Sequence, residues 1–133
     1  MNKGKKILLL IEDDIFRSCL VEQLLINDEF FPREAKTSEE AFQAAKIEFF
    51  DAIILHPVQG DGIELCKAIR DKNIKTPIII ISNKIDNNFR KLNPKSLVNE
   101  LLIKPFRLRD LLNSLRTQLR EFEQSENAIF SID

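Results

Sequence analysis

Five residues able to do chemistry come directly after short apolar runs. Glu12 and Asp13 follow Ile7 to Ile11, His56 follows Ala52 to Leu55, Ser82 follows Ile78 to Ile81, and Lys104 follows Leu101 to Ile103. A carboxylate pair offers hard oxygen to a cation, and a hydroxyl and an ammonium offer donors to an anion. An imidazole can carry a proton near neutral pH or ligate a metal. Singly, each reads as a solvated residue at the end of a buried segment. Together they mark the same end of successive segments, and a fold that gathers those ends would make them face one another. With a single histidine in the chain, a composite histidine-based catalytic or zinc site has no material. Cys19 and Cys66 lie in helix-like stretches without metal-ligand spacing and read as free thiols.

The segments that must position these residues alternate in type. Ile7 to Ile11 is unbroken apolar sequence ended by Glu12, Asp13 and Asp14, the pattern of a strand buried on both faces. Phe16, Leu20 and Leu24, with Cys19 and Leu25 beside them, predict an amphipathic helix to about Asn27. A short strand over Phe31 to Ala35 contains Pro32 and is expected at a sheet edge. Thr37 with Glu40 forms a capping-box pattern opening a helix that carries Ala41, Ala44 and Ala45.

The alternation continues with a strand over Ala52 to Leu55 and a helix from Gly62 to about Asp71, with Asp61 placed to cap it. Ile78 to Ile81 is a β-branched strand, Asn83 to Leu92 a poor helix stopped by Pro94, and Leu101 to Ile103 a fifth strand. Leu108, Leu111, Leu112, Leu115 and Leu119 make the clearest amphipathic helix. Strands alternating with helices predict an α/β fold, a doubly wound parallel sheet covered on both faces, with its crevice beyond the carboxyl ends of the strands. Residues 1–120 are expected to form the domain. From about Glu121 the sequence reads as a polar linker, and Ala128, Ile129, Phe130 and Ile132 then alternate like a strand that has no partner here.

Composition narrows the function. The 133 residues suit one domain, 44% hydrophobic and 31% charged. A formal net charge of -1 supplies no bulk field toward nucleic acid or anionic membrane. The apolar runs are far shorter than the roughly 20 residues of a membrane-spanning helix, and the N-terminus lacks a signal-peptide core. A cytoplasmic location without membrane contact is expected.

With KKILLLIEDD at the start, FDAIIL before His56, GIELCKAIR after it, TPIIIIS and IKPF, the sequence resembles the receiver domains of two-component response regulators along essentially its whole length. The resemblance implies a flavodoxin-like, CheY-like five-stranded sheet of order 2-1-3-4-5. It implies that Glu12 and Asp13 match the acidic pair that helps hold Mg²⁺, and that Ser82 and Lys104 match the hydroxyl and lysine that bind phosphoryl oxygens. At the position of the phosphate-accepting aspartate stands His56. The loop from His56 to Gly62 looks shorter than the family's. Leu101 replaces an aromatic switch residue, and Leu97 and Val98 replace a small Gly-Ala pair.

Aspartyl phosphorylation needs a carboxylate nucleophile and a cation to neutralise the incoming charge. Losing that carboxylate implies a receiver that acts without phosphorylation, with no catalytic residue and with Mg²⁺ binding weak or lost. His56 beside Glu12 and Asp13 is expected to have a raised pKa and to stand in for the metal as a charged bridge. A displaced acceptor such as Asp61, or Asp14, remains an alternative, as does a stand-alone adaptor that binds a histidine kinase or another regulator.

From IKPFRLRDLL to the end, the chain resembles the receiver and linker of OmpR-type winged-helix transcription regulators, which implies DNA binding only through a C-terminal domain absent here. Such receivers dimerise through their fourth and fifth helices and fifth strand. Arg90, Glu100 and Asp110 fall on that surface, with Ser114 where an arginine opposite Glu100 would be.

Overall fold

The computed structural model describes residues 4–56, 62–82 and 97–130. In chain order these form β1 (Lys5–Ile11), α1 (Asp14–Ile26), β2 (Phe30–Ala35), α2 (Ser38–Ile47), β3 (Ala52–His56), α3 (Gly62–Asp71), β4 (Ile78–Ser82), β5 (Glu100–Ile103) and α4 (Leu108–Phe130). All strand pairings are parallel and the order is β2-β1-β3-β4-β5. The order reverses between β1 and β3, so the crevice opens beyond Ile11 and His56, which are paired in register. The expected helix over Asn83 to Leu92, with Arg90, and the loop containing Asp61 lie outside the described residues.

The apolar runs are strands because both faces of this sheet are covered. Leu8, Leu10, Ile53, Leu55, Ile78 and Ile80 pack with Ala41, Ala44, Ala45, Leu65, Cys66 and Ile69 of α2 and α3. Ile7, Leu9, Ile11, Ile54, Ile79 and Ile81 pack with Leu20, Leu24, Leu111 and Leu115 of α1 and α4. Successive residues feed opposite clusters, as the two-residue period of a strand requires. Each fully buried Leu or Ile contributes about 1.5–3 kcal/mol relative to exposure.

The edge position of β2 suits Pro32, which has no N–H to donate, because this strand pairs with β1 alone. Gly4 sits where a Cβ would come 2.7 Å from the backbone of Glu29 and Phe30, next to the bond from Lys5 N–H to the Glu29 carbonyl. The cap forms as expected on one side, with Glu40 N–H donating to Thr37 Oγ1, while the Glu40 carboxylate accepts from Lys36 N–H, one residue ahead of the cap. After α3 the chain turns at Asn73, whose φ of 63° is a left-handed conformation that asparagine tolerates at a helix end.

One expectation is corrected. Residues 121–130, read as polar linker and then strand, continue α4 as helix. The segment contains no Pro or Gly, and Phe122 extends the spacing of Leu115 and Leu119 around the helix. Its ring stacks on Phe49 with centroids 6.3 Å apart, and Glu123 pairs with Lys5 at 3.6 Å. Local alternation of apolar and polar residues lost to helix propensity reinforced by these contacts.

Candidate site at the carboxyl ends of the strands

Backbone pairing brings the chemistry-bearing residues to one end of the sheet. Glu12 N–H donates to the His56 carbonyl at 3.4 Å, joining the ends of β1 and β3. Lys104 N–H donates to the Ser82 carbonyl at 2.9 Å, joining β5 to β4. Asp13 is the N-cap of α1, its Oδ1 accepting from Phe16 N–H at 3.0 Å. That hydrogen bond, helped by the charge of Lys104, holds the Asp13 carboxyl below its ordinary range. Glu12 and Asp13 are both exposed.

His56 is buried, with 3% of its surface exposed, although it ends its strand. Its Nδ1 is buried and has no hydrogen-bond partner among the described residues. Burial pushes its pKa below the ordinary value and the Lys104 ammonium pushes the same way, against the weaker pull of Asp13 and Glu12. The expected rise in pKa is therefore reversed, and the charged bridge expected from it loses its basis. Both acids are present, but they lie toward water while the ring lies in the core, so desolvation outweighs them.

The ring at the centre of this arrangement was legible only as a core residue. Phe16 packs edge-on to His56, with centroids 5.5 Å apart and planes at 78°, and tilts against Phe106 at 6.2 Å. Lys104 Nζ lies 4.6 Å from the centroid of Phe16. Phe16 sits in the first turn of α1, and helical side chains lean toward the N-terminus, here the crevice. An aromatic residue three positions after an N-cap at a strand end was the available signal.

The remaining predicted positions are less concentrated. Leu101 packs at the edge of the α2–α3 cluster, which also buries Leu97 and Val98. Glu100 accepts from Gln118 Nε2 at 3.3 Å, and Asp110 caps the start of α4 by accepting from Arg107 N–H at 3.0 Å. Ser114 Oγ is buried without a partner among the described residues. Arg70, passed over in the sequence, donates to the carbonyls of Ile74, Thr76 and Leu97 and to Asn99 Oδ1, tying the end of α3 to the lead-in of β5.

The oxygen donors at hand for a cation are the exposed carboxylates of Glu12 and Asp13. Among the described residues no group of three or more His, Cys, Asp or Glu side chains is arranged to hold a metal. One Asp13 oxygen is engaged in the helix cap, and an imidazole is a weak match for an ion that takes oxygen ligands in an octahedron.

A family model described as the response regulator receiver domain matches residues 8–116. The chain belongs to that family. Among curated relatives, Transcriptional regulatory protein ResD of Bacillus subtilis is 27% identical over 89% of this chain and 50% of its own length. Regulatory protein VanR of Enterococcus faecium is 29% identical over 92% of this chain and 56% of its own length. The chain thus spans about half the length of the curated relatives it matches. The Francisella response regulator 1452 receiver domain superposes with a TM-score of 0.78 at 25% identity, covering 90% of this chain and 99% of that one. The receiver domain of sensor histidine kinase PA1611 of Pseudomonas aeruginosa, solved with magnesium coordinated in its active-site cleft, aligns with a TM-score of 0.74 at 23% identity. It covers 87% of this chain and 98% of its own. At that identity it supports the fold of this receiver alone.

Proposed function

We propose that this receiver is a regulatory and dimerisation module of a transcription regulator that works without phosphoryl transfer. One observation carries the reading: the strand that should end in the acceptor aspartate ends in His56, buried and biased toward its neutral form. A neutral imidazole cannot form an acyl phosphate, and its ring nitrogen lies at a different reach from a carboxylate oxygen. Glu12 and Asp13 are then a vestigial acidic pocket with weak or lost Mg²⁺ affinity, and Ser82 and Lys104 are vestiges of the phosphoryl cradle. Receivers are signalling domains, and no catalytic residue is assigned here.

Residues 1–120 are the receiver unit in this reading. Residues 121–133 lead toward a DNA-binding output domain, a role supported by the regulators of about twice this length that the chain resembles. A homodimer would use β5, α4 and the segment containing Arg90, with Glu100 and Asp110 at its surface. Histidine kinases or other regulators are the proposed protein partners. A cytoplasmic setting agrees with the finding that no described helix is long and apolar enough to cross a membrane.

The test is incubation with acetyl phosphate and Mg²⁺ followed by intact-mass measurement, alongside beryllofluoride titration by NMR. No mass gain and no shift at Glu12, Asp13 or Lys104 are expected. A Mg²⁺-dependent gain of one phosphoryl group, mapped to Asp61 or another acid of the crevice, would refute the proposal and favour the displaced acceptor.

A further inference from the structure

We infer that Phe16 is a built-in plug of the crevice, and that it keeps the site closed to a phosphoryl anion even where an acceptor carboxylate is restored. The inference rests on the reading above and extends it, because loss of the acceptor does not by itself require that the cavity be filled. Three contacts carry it. The Phe16 ring meets the His56 ring edge-on with centroids 5.5 Å apart, a van der Waals contact that leaves no room for another group between them. Its face receives Lys104 Nζ at 4.6 Å, so the ammonium that could meet an anion is engaged by a neutral ring. Phe106, just beyond the Lys104–Pro105 peptide, packs against the same ring with centroids 6.2 Å apart.

The local sequence holds the plug in place. Asp13 fixes the start of α1 by accepting from the backbone N–H of Phe16 itself, and Arg17 N–H donates to the Asp13 carbonyl at 2.8 Å. A side chain in this first turn leans back over the carboxyl end of β1. Phe16 therefore acts as a positioning residue: it sets where Lys104 points and what volume remains beside His56.

Two measurements test the plug. In the native protein the ε-methylene protons of Lys104 should be shifted upfield by the ring current of Phe16, and the shift should vanish in Phe16→Ala. Unshifted native ε-protons would overturn the inference without any variant having to fold. In the second measurement, beryllofluoride with Mg²⁺ is titrated into His56→Asp and into His56→Asp/Phe16→Ala, with amide shifts as the readout. The double variant should bind at least tenfold more tightly than the single one. Equal binding by the two within twofold, or none by either, would overturn the plug. Phosphoryl uptake by the native protein would instead sink the proposed function, so the two failures are distinguishable.

Discussion

Replacing Arg70 with alanine should remove the clamp that sets the approach to β5. The guanidinium donates to the carbonyls of Ile74, Thr76 and Leu97 at 2.9, 2.7 and 3.1 Å, and to Asn99 Oδ1 at 3.1 Å. Asn99 Oδ1 also accepts from Ile78 N–H at 2.9 Å, so the clamp reaches the first residue of β4. Hydrogen bonds from a charged group contribute about 1.5–3 kcal/mol apiece, but they are not additive, and these bonds are part-exposed. Burial holds the Arg70 pKa below its ordinary value, a sign that desolvation offsets part of the gain.

The net loss for Arg70→Ala is therefore expected at about 2–3 kcal/mol. Urea unfolding followed by far-UV circular dichroism measures it. With a slope of about 1–3 kcal/mol per molar for a small domain, the midpoint should fall by roughly 0.7–3 M. Arg70→Lys should recover less than half of the loss, because one ammonium cannot fork to carbonyls on separate segments. A loss below about 1 kcal/mol for the alanine variant, or full recovery by lysine, would refute the reasoning.

Further expectations follow from the same geometry. The unfolded chain protonates His56 near 6.5 while the folded one resists it, so native stability should fall as pH drops below about 6.5 toward the folded pKa. His56→Gln should flatten that slope in urea titrations between pH 5 and 7; an unchanged slope would place its origin elsewhere. Phe50→Ala should cost about 3–5 kcal/mol, since the side chain is 2% exposed and packs in the α2–α3 cluster; thermal melts check this. Phe122→Ala should remove an aromatic stack of about 0.5–1.5 kcal/mol and speed amide exchange around residues 120–126, leaving the sheet protected. Cys19, exposed, should react with a disulfide reagent in the folded state, whereas Cys66, buried and pushed up to about 12, should react only on unfolding.

The alternation of strands and helices was legible because a fully covered parallel sheet requires unbroken runs such as Ile7 to Ile11 and Ile78 to Ile81. Pro32 marked an edge because it has no N–H for a second neighbouring strand, and Thr37 with Glu40 marked a helix start. These are local patterns, and local patterns survive in a bare sequence. The residues at the strand ends followed from that order, and the resemblance to receiver domains marked His56 as a departure. What the sequence could not supply was the balance of long-range terms. Glu12 and Asp13 beside an imidazole argued for a raised pKa, yet the depth of His56 in the fold and the ammonium of Lys104 decided the opposite sign. Phe16 read as an ordinary helix residue until two separate segments, the end of β3 and the turn after β5, converged on its ring. The helix through Phe130 won over a strand-like alternation because of Phe49 and Lys5, distant partners that no window around Ala128 contains. Periodicity determined the elements; burial and contacts between remote segments decided the direction of the His56 shift, the surroundings of Phe16 and the length of the last helix.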